Sequence, residues 1–88
     1  KGMKIMSRVL VKLYVPIIEE KYDIWLPTNK KIYNIIISLT KAVNELSMGY
    51  YTPIKSPMLY NKLSSTPYDV NITVKESDIR NGTELILI

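Results

Sequence analysis

The side chains able to do chemistry are few, and their spacing does not assemble a catalyst. Histidine and cysteine are both absent from the 88 residues. Thiol nucleophiles, disulfides, zinc sites of the usual ligand types and the commonest general base are therefore excluded together. Glu19, Glu20 and Asp23 form the one acidic cluster. Paired carboxylates can share acid and base roles, but these three flank a strand-to-strand connection, where solvated turn charges are the plainer reading. Asp78 and Arg80 stand two apart and could recognise an anion or simply neutralise a loop. Asn81-Gly82-Thr83 fits a glycosylation acceptor, yet Asn-Gly is first a turn dipeptide. No catalytic residue, cofactor or metal ligand is assigned, and the expectation is a protein that binds rather than an enzyme.

Charge points the same way. The formal net charge is +4, and the excess lies in the first half: residues 1–44 carry eight Lys/Arg against three Asp/Glu, residues 45–88 four against five. Apart from Lys30-Lys31 the basic residues are scattered singly, so no stripe tracks a phosphate backbone and no nucleic-acid partner is expected. Hydrophobic residues make up 47% and charged residues 23%, the balance of a chain that folds. No apolar run is long enough to span a bilayer and no leader of the signal-peptide kind opens the chain, so direct membrane insertion is not expected and a cytoplasmic setting is. Residues 1–7 are read as a non-native or flexible leader, and 8–88 as one domain.

The hydrophobic periods define the elements. Residues 8–15, RVLVKLYV, alternate with Val9, Val11, Leu13 and Val15 on one face. Residues 21–27, KYDIWLP, alternate again with Tyr22, Ile24 and Leu26 on one face, predicting an antiparallel hairpin across 16–20. From Thr28 to Leu46 the spacing becomes three and four, through Ile32, Ile35, Ile36, Leu39, Val43 and Leu46, which predicts a helix capped by Thr28 or Asn29 and closed at Gly49. A short strand is expected over 58–63. The Thr73-x-x-Glu76 spacing predicts a capping box on one helical turn. Asn81-Gly82 then turns the chain into a last strand carrying Leu85 and Leu87 on one face, Ile86 and Ile88 on the other.

This order resembles the ubiquitin-like β-grasp proteins. The closing TVKESDIRNGTELILI is similar to their C-terminal segments, with Val74, Asp78-Ile79 and Leu85-x-Leu87 in the matching places. The resemblance implies an α+β fold with a mixed four- or five-stranded sheet packed on one long helix, and a strand order second, first, last, third. Conjugated relatives act through a Gly-Gly tail, whereas the three glycines here are Gly2, Gly49 and Gly82 and the final residue, Ile88, falls in the expected strand. The alternative is a sulfur carrier or modifier whose Gly-Gly tail is missing from this chain. NGTELILI is similar to the ending of the YukD/EsaB type of small, tail-less protein. That resemblance implies a non-conjugating, cytosolic accessory component of a bacterial type VII secretion system, with a protein partner that includes membrane components of the machine.

The β-grasp order also singles out a surface. With the odd-numbered residues of the first strand facing the helix, Leu10, Tyr14, Trp25, Ile86 and Ile88 face away, and Leu59 is expected to join them, with Met58 and Tyr60 turned inward. Together they should form one band interrupted only by Lys12, Asp23 and Glu84. A sheet face left to solvent is normally polar, so an apolar band there predicts a protein-interaction surface or self-association through the open sheet face, with Trp25 as its anchor. Ile17 and Ile18, an apolar pair in the hairpin connection, are a secondary candidate, with packing back onto the sheet edge an equal explanation.

Overall fold

In the computed structural model, which describes residues 7–53 and 55–88, the alternating N-terminal run forms strand β1 (Arg8–Val15). Pro16–Ile18 make one 3-10 turn, closed by Glu19 in the left-handed region (φ 53°), and the chain returns as β2 (Glu20–Pro27). The two strands pair antiparallel from Arg8 opposite Pro27 to Val15 opposite Glu20. Helix α1 (Ile32–Leu46), β3 (Leu59–Asn61) and β4 (Glu84–Leu87) follow. The sheet order is β2-β1-β4-β3, with β1 and β4 parallel at its centre and β3 antiparallel to β4. The expected leader, residues 1–7, lies outside the described residues except for Ser7, whose carbonyl accepts the Thr28 amide at 3.0 Å.

One face of this sheet is covered by the helix. Val9, Val11, Leu13 and Val15 from β1, Leu26 from β2, Leu85 and Leu87 from β4, and Ile32, Ile35, Ile36, Leu39 and Val43 from α1 are all buried. Each such side chain contributes about 1.5–3 kcal/mol through burial, which outweighs the weak helix propensity of the isoleucines. Val74 and Ile79, from the long connection before β4, close the same core, as does Tyr51.

The helix begins later than expected and is capped differently. Lys31, not Thr28 or Asn29, precedes it, and no side chain caps it. The amides of Ile32 and Tyr33 donate instead to the carbonyls of Ile72 (2.8 Å) and Val70 (3.0 Å). A distant backbone segment thus satisfies the free donors that a sequence reading gives to a neighbouring hydroxyl. At the far end Gly49, at φ 86°, donates to Asn44 O at 2.8 Å, as its position predicts. Leu46 is exposed, so the buried stripe ends at Val43. Thr73 and Glu76 do form the reciprocal box: Thr73 N–H reaches Glu76 Oε1 at 2.8 Å and Glu76 N–H reaches Thr73 Oγ1 at 3.1 Å.

A candidate interaction surface on the open face of the sheet

The residues with chemical potential are held in structural contacts. Asp23 pairs with Lys12 at 3.6 Å, while Glu19 lies in the turn and Glu20 is exposed. Asp78 accepts a hydrogen bond from the Tyr68 hydroxyl at 2.6 Å, and the Arg80 guanidinium donates to the Ser77 and Ile79 carbonyls at 2.8 and 2.7 Å. Asp78 and Arg80 therefore brace the loop before β4 separately rather than framing an anion site. Asn81 Oδ1 accepts the Leu10 amide at 2.8 Å, giving the Asn-Gly turn a place in the sheet. Among the described residues, no three His, Cys, Asp or Glu side chains gather as metal ligands would.

The face of the sheet turned away from α1 follows from the strand register. Leu10 stands opposite Trp25, and Tyr14 lies between Lys21 on β2 and Ile86 on β4. Ile86 in turn faces Tyr60 on β3. Trp25 is 53% exposed and Ile88 55%. Arg8 places its guanidinium 5.3 Å from the Trp25 ring centroid, and Lys21 its ammonium 5.8 Å from the Tyr14 ring, so both aromatics have a cation at their edge of the face.

Leu59 is not part of this surface. It is 1% exposed and sits opposite Leu87 in the core, while Met58, expected inside, is 43% exposed. Met58 and Ile88 exchange amide and carbonyl bonds at 2.8 and 3.0 Å, which locks β3 one residue out of the expected register. Because side chains alternate with period two, that single step exchanges the two faces, bringing Met58 and Tyr60 outward and Leu59 inward. Three residues of strand carry too little alternation to reveal this, although the pairing of Leu59 with the inward Leu87 was implicit in the β-grasp order.

The band is also not continuous. Asp23, Lys12, Glu84 and Lys62 form one row of alternating charge across all four strands, with Lys12–Asp23 at 3.6 Å and Lys62–Glu84 at 3.0 Å. Lys62 and Lys12 hold the Glu84 carboxyl below its ordinary value, the hydrogen bond from Lys62 being the larger cause. This row separates a small patch, Leu10 and Trp25, from a larger one: Tyr14, Ile86, Tyr60, Met58 and Ile88. Ile17 and Ile18 part company, Ile18 packing back on the core and Ile17 projecting into solvent. Ile17 lines, with Pro16, Tyr51, Thr52, Leu87 and Ile88, an apolar groove of about 290 Å³ at the rim of the larger patch.

Among the described residues, no helix is long and apolar enough to cross a membrane. No protein-family model matches the chain, and no curated protein matches it. Solved structures do match. The ubiquitin-like domain of the Mycobacterium tuberculosis type VII secretion system protein EccD1 superposes with a TM-score of 0.77 at 14% identity, covering 94% of this chain and 99% of that one. The EccD5 ubiquitin-like domain from Mycobacterium xenopi gives 0.76 at 22%, covering 93% of each. A chain of the ESX-5 inner membrane complex gives 0.75 at 18%, covering 92% of this chain and 20% of that one. A chain of the toluene 4-monooxygenase HD complex also matches, at 0.74 and 11%, covering 92% and 96%. At such identities likeness establishes architecture: the chain has the ubiquitin-like β-grasp fold, a mixed four-stranded sheet on one helix.

Proposed function

We infer that this protein acts by binding, as a non-conjugating ubiquitin-like module of a bacterial type VII secretion apparatus, of the YukD/EsaB kind and working in the cytoplasm. Its partner is a membrane component of that machine. The likeness to EccD ubiquitin-like domains supports the system. The observation that carries the mode of action is the larger apolar patch, Tyr14, Tyr60, Ile86, Met58 and Ile88, on a sheet face with no element of its own to cover it. Exposed aromatic and aliphatic side chains bordered by charge are the usual anatomy of a docking surface. The row from Asp23 to Lys62 then sets register on the partner, since unmatched charges oppose misplaced docking.

The test is affinity capture of the tagged protein from detergent-solubilised cells of its source, beside Tyr14→Ala and Trp25→Ala variants. Enrichment of secretion-machine membrane proteins, reduced in Tyr14→Ala, is the expected result. Recovery of an adenylating enzyme, or of the protein covalently joined to others, would overturn it in favour of a conjugated modifier. Recovery of hydroxylase subunits would move the protein to a different assembly.

A further inference from the structure

The two edges of the sheet are treated differently. At β3 the edge is closed: the Tyr68 amide donates to Leu59 O at 2.9 Å, and Pro67 bridges Tyr60. At β2, among the described residues, no strand lies on the far side. Which β2 groups face outward follows from β1. The Leu10 and Lys12 amides donate toward β4, to Asn81 Oδ1 at 2.8 Å and Thr83 O at 3.0 Å. The odd-numbered residues of β1 therefore bond to β2, through Leu26, Ile24, Tyr22 and Glu20 in the observed register. Lys21, Asp23 and Trp25 are left with their amides and carbonyls aimed away from the sheet. These three positions span about 13 Å of extended chain.

Beside this edge runs the largest groove described in the molecule, about 520 Å³, between β2 and α1. Ile24 and Leu26 line its strand side, Ile35, Leu39 and Ala42 its floor and helix side, and Asn34 and Ser38 add two polar groups. Lys30 is the sole ionisable side chain lining it, at the end beside Pro27, and no salt bridge among the described residues engages it. An edge with three outward amide–carbonyl pairs next to an apolar trough fits a fifth strand: main-chain bonds give the attachment and alternate side chains enter the trough.

We propose that the β2 edge and the β2–α1 groove bind an extended peptide segment of another protein, aliphatic at alternate positions and carrying a carboxylate that meets Lys30. The backbone groups of Lys21, Asp23 and Trp25 hold its main chain. This site lies on a different side of the molecule from the open sheet face and does not depend on what docks there.

The experiment is an NMR titration of the full chain with the blocked peptide acetyl-Asp-Val-Thr-Val-Thr-Val-Asp-amide, acidic at both ends so that strand direction does not matter. The expected result is saturable shifts at Lys21, Asp23, Trp25 and Ser38, with slowed exchange of the three β2 amides. Ser38→Phe, which fills the trough from an exposed helix position, should abolish these shifts. Lys30→Glu should weaken the acidic peptide up to about fivefold and reverse the preference toward the same peptide with Lys at both ends. Absence of shifts at millimolar peptide, or shifts confined to Tyr14, Tyr60 and Ile86, would overturn the proposal. So would concentration-dependent protection of the β2 amides without peptide, which would place a second copy on the edge.

Discussion

Asn81 Oδ1 accepts the Leu10 amide at 2.8 Å, and the next residue, Gly82, donates its own amide to Leu10 O at 2.8 Å. A side-chain carbonyl and a backbone amide together complete what would otherwise be the missing first rung between β1 and β4. Gly82 adopts φ 87° to make this turn, where a side chain would be strained.

Asn81→Ala leaves the half-buried Leu10 amide without its acceptor at the edge of the central parallel pair. It should cost about 1–3 kcal/mol, read as a lower urea midpoint with unchanged slope. Asn81→Asp keeps the acceptor and should recover most of that loss.

Leu59 and Trp25 should behave oppositely. Leu59→Ala empties a fully buried core position and should cost about 2–5 kcal/mol. Trp25→Ala removes an exposed ring and its contact with Arg8, at a cost of about 1 kcal/mol or less. Thermal denaturation of the two variants checks the register of β3 directly, because an outward Leu59 would make its loss nearly silent.

The row of charges across the sheet gives an acid dependence. Lys62, and then Lys12, lower the Glu84 carboxyl from its ordinary 4.5 in the folded protein. A depressed folded value means that the stability from this group is present above 4.5 and declines as pH falls through the lower folded value. The melting temperature of Glu84→Gln should therefore lie below that of the parent at pH 7, and the two should converge at lower pH. A gap unchanged between pH 7 and pH 2.5 would show that the carboxylate charge is not what matters. The pair is exposed, so the effect is small.

Tyr68 gives the alkaline counterpart. Burial, and then its hydrogen bond to Asp78, push its hydroxyl well above 10. The folded state keeps this proton when the unfolded state has released it, so the contribution is whole below pH 10 and declines as pH rises past that value. Tyr68→Phe should lower stability at neutral pH by removing the 2.6 Å bond, and should flatten the loss of stability between pH 10 and 11.5. Parallel denaturation curves for parent and variant across that range would exclude Tyr68 as the source.

Much of the architecture was legible in residue order. The alternation of Val9, Val11, Leu13 and Val15, the helical spacing from Ile32 to Val43, the Thr73–Glu76 box and Gly49 after the helix all act over a few residues. Local periodicity and turn chemistry therefore carry them into the structure unchanged. The strand order also followed, because the strongest stripes need the central positions of the sheet. The tertiary structure decided what depends on groups distant in sequence. The helix starts at Ile32 because the carbonyls of Val70 and Ile72 arrive to cap it, which no hydroxyl at Thr28 foretells. Leu59 turns inward because Met58 pairs with Ile88, a register that three residues of β3 cannot encode alone. The apolar band is divided because Asp23, Lys12, Glu84 and Lys62, dispersed along the chain, fall into one row once four strands align. Residue spacing specifies which face a side chain occupies within its element; only pairing between elements specifies which side chains become neighbours on that face.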